Sequence, residues 1–412
     1  MSRNGRGKSR RVSTMEHTNS DPIVVIGAAR TPIGHFMGGL AGLTAPDLGG
    51  VAIRGALERA ALDPARVDEV AMGCVLSAGL GQAPARQASF AAGLPRECGA
   101  MTINKMCGSG MRCVTAMHDA LVAGSITFAV AGGTESMSRA PYLLDRARSG
   151  YRMGHGQILD HMMRDGLEDA YQPGRAMGVF ADEAARRFSI GREAQDTYTL
   201  ECLHRCQTAA REGWSGREII PVEVPGRQGA ATTLASDEEL ERADPDRFSD
   251  LKPVFTEEGT VTVANASSIS DGAAALVLTR RSEAEREGHD VAAVIRAHAT
   301  HAGAPADFPS APVSAITAVA EKAGWSVQDI DLFEINEAFA VVPLIAMNAL
   351  GLRRDRVNVM GGACMLGHPI GASGARILVT LLTAMAVHQV RRGVAAICIG
   401  GGEALALAVE RP

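Results

Sequence analysis

The chain has 412 residues, 46% hydrophobic and 21% charged, with a formal net charge of −5. That length favours two or three domains around a large apolar core. The first 21 residues hold five basic and two acidic residues, so the remainder stands at −8, with no bulk attraction for nucleic acid or an anionic membrane.

Residues 1–21 are polar and Gly/Ser/Arg-rich, without an apolar run or amphipathic period. They read as a disordered leader, with Met15 as an alternative start, and not as a secretory signal. Residues 22–28 (PIVVIGA) predict a buried strand. Residues 44–61 predict a helix opened by Thr44, with Leu48, Val51, Ala52 and Leu57 on a helical spacing. Strands are expected at 67–76 and 100–106, a helix at 110–123, and a strand at 128–131. Residues 141–264 change character: Arg, Asp, Glu and breakers dominate, with helices expected at 178–188 and 192–212 and short strands after them. The first pattern resumes at 265–279. No long uncharged apolar stretch suggests a membrane span.

The order then repeats. GALERAALDPARVDEVAMG (55–73) resembles AVAEKAGWSVQDIDLFEIN (318–336), and GSITFAVAGGTES (124–136) resembles RGVAAICIGGGEA (392–404). The offsets, 263 and 268 positions, are nearly constant and imply a duplicated α/β unit. The expected division is a leader (1–21), a first half (22–140 with 265–290), an inserted domain (141–264) and a second half (291–412). The eight cysteines are scattered and form no Cys-x-x-Cys, so neither a disulfide framework nor a zinc site is expected. Reduced thiols and a cytoplasmic location follow.

Four segments carry chemistry. Cys107 stands in NKMCGSGMRCV, where a strand passes into a helix; the helix start should lower its thiol pKa, and Gly108 and Gly110 allow a tight turn and a close approach by substrate. His368 stands in GGACMLGHPIGASGAR, a glycine-rich loop before a helix expected near Ser373, where an imidazole can accept a thiol proton. Cys398 precedes three glycines in CIGGGEA, a turn whose backbone N–H groups can line an oxyanion hole. Asn336 and Glu337 lie in LFEINEAFA, where Asn336 can cap a helix or serve the site. Each has a bland alternative: a buried inert thiol, a surface histidine, glycines serving only a turn, a helix cap.

Together NKMCGSGM, NEAFA, GGACMLGHPIGASGAR and CIGGGEA resemble the active-site blocks of thiolases, in order and spacing, and AGGTESMSRAPY and TVTVANASSISDGAAA are similar to further blocks of that family. The resemblance runs from about residue 22 to 410. It implies a thiolase-like duplicated five-layered αβαβα core with an inserted loop domain over coenzyme A. It also implies reversible condensation of two acetyl-CoA to acetoacetyl-CoA. Cys107 would carry the acetyl group, His368 take its proton, and Cys398 remove the α-proton of the second acetyl-CoA. One oxyanion hole would use His368 and a water held by Asn336; another would use the N–H groups of Cys107 and Gly400. Ser267, Phe255, Phe339 and Met177 would face the pantetheine. No metal or redox cofactor is implied, since coenzyme A thioesters are substrates. The implied partners are acyl-CoA and further copies of the chain, as homodimer or homotetramer, with no nucleic acid and no membrane.

Two departures stand out. Many acetyl-specific thiolases have His before Met-Gly, where this chain has Ala176, and Glu403-Ala404 replaces the common Gln or Met and then Gly. Ala176 keeps open a 3-ketoacyl-CoA thiolase for longer chains. A ketoacyl-synthase-type enzyme would pair its Cys with two His or His and Asn, and Cys398 argues against it. A papain-like elbow would need Cys-Gly-Ser-Cys-Trp, which Gly110-Met111 does not supply. An acyl-CoA-binding protein without chemistry would be expected to lack one of the four blocks.

Overall fold

The computed structural model describes residues 21–226 and 230–412. The expected leader, apart from Asp21, lies outside the described residues. Asp21 belongs with the folded body, since its carboxylate accepts from Ser282 N (2.8 Å) and Oγ (2.7 Å).

The first half runs β1 (Ile23–Arg30), β2 (Gly34–His35), α1 (Ala45–Ala60), β3 (Glu69–Gly73), α2 (Pro84–Ala91), β4 (Gly99–Ile103), α3 (Ser109–Ala123) and β5 (Phe128–Ser136). The intervening stretch holds β6 (Tyr142–Leu143), β7 (Leu159–Asp160), α4 (Met177–Arg187), α5 (Arg192–Arg211), β8 (Val222–Pro225) and β9 (Ala231–Leu234). Then come β10 (Ser270–Arg280) and α6 (Arg281–Glu287). The second half is β11 (Ala293–Ala302), α7 (Ala311–Ala323), β12 (Leu332–Ile335), α8 (Val341–Leu350), α9 (Ala363–Leu366), α10 (Ile370–Val387), β13 (Arg392–Ile399) and β14 (Glu403–Glu410). Thr44 opens α1 through a capping box: Asp47 N donates to its Oγ1, and its own N donates to Asp47 Oδ2 (3.0 Å).

The sheet records the duplication. Its order is β12-β13-β14-β11-β1-β10-β5-β3-β4. Thus β3-β5-β10-β1 in one half is matched by β12-β13-β14-β11 in the other, each with a parallel first pair and antiparallel pairs after it. The halves meet where β1 pairs with β11. Residues of α3 and α10 share one core with the inward faces of both halves, while α1 and α2 cover the outer face of the first and α7 and α8 that of the second. The result is five layers, αβαβα. β5 and β10 are sheet neighbours, so everything between them is an excursion from one sheet edge-to-edge pairing.

The middle layer decides where the site forms. Ile370–Val387 is long and apolar enough to cross a membrane by length and composition, although Arg376 interrupts it; it is instead the buried central helix, 83% of it covered by protein. Its N-terminal end crosses that of α3 at glycines. A Cβ on Gly110 would stand 2.7 Å from Ala375 N, and one on Gly374 would stand 2.5 Å from Met111 N. Both obstacles are backbone, so neither can swing away. This close crossing sets the two loops that precede α3 and α10 side by side, one carrying Cys107 and the other His368. Gly374→Ala should therefore destabilise the protein by about 1–3 kcal/mol and lower activity with it, read as a drop in melting temperature.

Candidate active site

Cys107 sits on a short loop between β4 and α3. Asn104 Oδ1 accepts from Met106 N (3.0 Å), Ser109 Oγ accepts from Lys105 N (2.8 Å) and donates to Met106 O (2.6 Å), and Gly108 N donates to Lys105 O (3.0 Å). The backbone bend falls on Met106, at φ 46°, a left-handed conformation that non-glycine residues rarely adopt. Gly108, at φ −83°, has no such need; a Cβ there would stand 2.4 Å from Ile399 Cδ1. The glycines of this segment thus admit neighbouring protein, a different role from the turn and substrate approach expected of them.

The thiol of Cys107 is pushed up to about 11 by burial, against which the N–H groups of Gly400 and of Cys107 itself pull down. This corrects the expected lowering by the helix start. A helix terminus is worth about 0.3–1 kcal/mol, and desolvation of the thiolate outweighs it. The same two N–H groups reaching one sulfur form a ready-made pair of donors.

His368 follows Gly367 and is buried. Its N donates to Ser268 O (3.1 Å), and its Nδ1 lies 2.6 Å from Ser373 Oγ. Ser373 Oγ spends its own proton on Pro369 O (3.0 Å), so it accepts from His368 Nδ1–H. The ring nitrogen left free is Nε2, which has no hydrogen-bond partner among the described residues. Burial first, and the Arg376 charge second, push the imidazole down to about 3, so the resting ring is neutral and Nε2 presents an unprotonated lone pair. α10 begins at Ile370, three residues before the expected start. Glu135 Oε2 accepts from Gly371 N (2.9 Å), and Ser373 closes the first turn onto Pro369.

Cys398 is the penultimate residue of β13 and is 1% exposed; burial and then the Cys107 charge hold its thiol well above the usual range. The following glycines form the β13–β14 hairpin turn, with Gly401 and Gly402 at positive φ (96° and 85°). Asn336 does not cap a helix: α8 starts at Val341 behind Ala340. It continues β12 instead, with its N donating to Ala396 O (2.9 Å), and is fully buried. Glu337 is buried too, accepting from Tyr198 Oη (2.6 Å), Asn358 Nδ2 (2.7 Å) and Cys364 N (3.0 Å), which marks it as a structural tie.

One cavity of about 400 Å³ gathers Cys107, His368, Cys398, Gly400, Ser267, Phe255, Phe339 and Met177 on its wall. Asn336 lies outside that wall. Phe255 and Phe339 meet edge to face, 6.0 Å between centroids, and Ser267 Oγ donates to Ala338 O (3.0 Å). The remaining wall is apolar, including Met163, Leu167, Ile269, Phe308 and Ile370, and Ala176 contributes a methyl group where a histidine would offer a hydrogen bond. Such a space suits a narrow, largely apolar chain with few polar handles.

Sequence reasoning missed three supports. Glu135 is buried and pushed up to about 7 by burial, despite accepting from Val75 N, Leu76 N and Gly371 N at 2.9–3.0 Å; it ties the first half to the His368 helix. Lys105 and Glu403 form an ion pair linking the Cys107 loop to the glycine turn, which gives the unusual Glu403 a partner. Arg376 lies beneath the site, against Asn336. All three stand inside or beside the quoted motifs, but their partners are distant in sequence.

A nucleophilic cysteine with backbone donors on its sulfur, a neutral imidazole and a second thiol in an apolar cavity define a class: enzymes that pass an acyl group through a cysteine thioester. Residues 23–282 match the model for the thiolase N-terminal domain and residues 289–411 that for the thiolase C-terminal domain. The chain belongs to the thiolase family. It is 46% identical over 391 residues to the acetyl-CoA acetyltransferase of Chromobacterium violaceum, covering 95% of this chain and 100% of that protein. It is 46% identical to the enzyme of that name from Cupriavidus necator, covering 94% of this chain and 99% of that protein. Against acetyl-CoA acetyltransferase 1 of Arabidopsis thaliana it is 47% identical, with 94% of each covered.

Proposed function

We propose that the chain is an acetyl-CoA C-acetyltransferase, condensing two acetyl-CoA to acetoacetyl-CoA and CoA and running the same steps backwards as thiolysis. The observation that carries this reading is the meeting of Cys107, its two N–H donors, the open Nε2 of His368 and the second thiol Cys398 on one apolar cavity.

Cys107 Sγ attacks the thioester carbonyl of acetyl-CoA, and its proton passes to His368 Nε2. The oxyanion lies against the N–H groups of Cys107 and Gly400, each such donor being worth about 3–4 kcal/mol. The bond to the CoA sulfur breaks, and that sulfur leaves with the proton from His368. A second acetyl-CoA then enters. Cys398 gives its thiol proton to His368 Nε2, and the resulting thiolate takes the α-proton. The enolate oxygen faces His368 Nε2–H and a water held by Asn336. The α-carbon attacks the acetyl carbonyl, the bond to Cys107 breaks, and His368 returns its proton to the Cys107 sulfur. Cys398 keeps the α-proton, so all three groups end as they began.

The order of events has an electrostatic basis. Burial, and then a charge on Cys107, hold the Cys398 thiol well above the usual range. With Cys107 held as its thioester no second thiolate can form beside Cys398, so its ionisation has burial alone to overcome.

Ala176 and the apolar wall beside it favour a second reading, a 3-ketoacyl-CoA thiolase for longer chains. Thiolysis of acetoacetyl-CoA against six- and eight-carbon 3-ketoacyl-CoAs separates the two. The expected result is a kcat/KM at least about tenfold higher for acetoacetyl-CoA, the scale of one or two methylenes in a fitted pocket. A flat or reversed profile moves the chain to the second reading.

A cytoplasmic location and a homodimer or homotetramer belong to the same proposal. Eight free cysteines support the first. The open edge of β4, with exposed Met101 and Phe90 nearby, supports the second. Acyl-CoA substrates, with no resident metal or redox group, complete it.

A further inference from the structure

Arg376 stands in α10 with its guanidinium turned to the end of β12. Its Nη2 donates to Asn336 Oδ1 at 3.2 Å, and its Nη1 lies 3.7 Å from Glu334 Oε2. All three side chains are buried, at 2%, 0% and 1% exposure for Arg376, Asn336 and Glu334. A guanidinium carries donors only, so Asn336 has to present its amide oxygen to it. The amide nitrogen therefore points elsewhere, and Nδ2 has no hydrogen-bond partner among the described residues. A buried N–H2 group left without a partner is costly and calls for a ligand. Asn336 follows directly on the pairing of Ile335 with Ala396, next to the strand that carries Cys398.

We propose that Arg376 is a positioning residue that fixes the amide of Asn336 oxygen-inward, so that its N–H2 group is the donor held ready for the enolate-forming half of the reaction. This rests on the thiolase mechanism given above. With a hydrophobic residue at 376 the amide has no fixed sense, and in half of its orientations it turns an acceptor towards a developing oxyanion. Lysine supplies a donor to the same oxygen but not the planar fork. Glu334, 3.7 Å from Nη1, is the acid nearest the guanidinium; burial, and then Glu337 and Glu218, push its carboxyl well above the usual range, while Arg376 and Arg205 pull it down. The effect on acyl transfer is small, because that step uses the N–H groups of Cys107 and Gly400.

The test reads two partial reactions of the full-length enzyme. Acetylation of Cys107 by acetyl-CoA is followed by mass spectrometry, and α-hydrogen exchange of acetyl-CoA is followed in heavy water. Arg376→Met is made together with Glu334→Gln, so that no lone carboxylate is left buried. Exchange should fall on the order of 10²-fold, with acetylation falling several-fold at most, and Arg376→Lys should recover part of the exchange. Asn336→Ala should lower exchange likewise, and Arg376→Lys placed on Asn336→Ala should cost nothing more, since there is no amide left to orient. If the double variant fails to fold, the Arg376→Lys and Asn336→Ala cycle decides alone. Proportional loss of both reactions, or additive loss in the cycle, overturns the positioning role. Unchanged exchange in Asn336→Ala overturns the enolate-hole reading itself and the proposal with it.

Discussion

Cys107→Ala should leave a folded protein that takes up no acetyl group from acetyl-CoA and shows no thiolysis of acetoacetyl-CoA above background. Every covalent step assigned to the site passes through this sulfur, and no other thiol is placed to replace it. Cys398 is 1% exposed and carries no backbone donors from the glycine turn. Cys74, Cys98, Cys113, Cys202, Cys206 and Cys364 are buried away from the cavity. Stability should change little, because the sulfur faces the cavity and its loop is held by Asn104, Lys105 and Ser109, not by the thiol. The measurement is the mass of the acid-quenched protein after incubation with acetyl-CoA, followed by digestion to locate the adduct. One acetyl group is expected on the natural chain, at Cys107, and none on the variant. Acetyl on another cysteine, with Cys107 unmodified, would sink the assignment of the nucleophile, and no acetyl on any cysteine would favour a thiolase-fold binder.

Much of this geometry was legible in the sequence because short-range physics wrote it. The alternation of apolar runs with helical spacing located the strands and helices of both halves, and Thr44 announced the cap of α1. The near-constant offset between 55–73 and 318–336 announced the paired sheets, since two copies of one unit can bury their inner faces on each other. Cys107, His368 and Cys398 were legible because each stands at a glycine-rich junction of strand and helix or strand and turn. What escaped depends on contacts between distant segments. Burial outweighs the helix terminus at Cys107, and burial of a sulfur is a property of the packed cavity, not of its neighbours in sequence. Asn336 was open between capping a helix and serving the site; Ala340 took the cap position, and Arg376, forty residues on, set the Asn336 side chain. The ion pair of Lys105 with Glu403 spans 298 residues, so a departure from the family pattern looked isolated until the fold supplied its partner.

Cys398→Ser should divide the reaction in two. Acetylation of Cys107 should survive, because it needs only the nucleophile, the open Nε2 of His368 and the N–H groups of Cys107 and Gly400. Carbon–carbon bond formation needs in addition a base that acts while Cys107 is occupied. A serine hydroxyl has nearly the same shape as the thiol, but its proton is far harder to remove, and the site already holds the Cys398 thiol well above the usual range by burial. The variant should therefore lose condensation, thiolysis of acetoacetyl-CoA and α-hydrogen exchange of acetyl-CoA in heavy water. The loss should be on the order of 10²–10⁴, the usual contribution of a positioned general base. Retained acetylation is its own control for folding, and melting temperature is a second, since a buried hydroxyl short of a partner costs about 1–3 kcal/mol. Cys398→Ala should give the same division without introducing a hydroxyl. If Cys398→Ser exchanged α-hydrogens at close to the natural rate, proton removal would have to be reassigned. The first candidate would be His368, whose Nε2 faces the same cavity and is already free to accept.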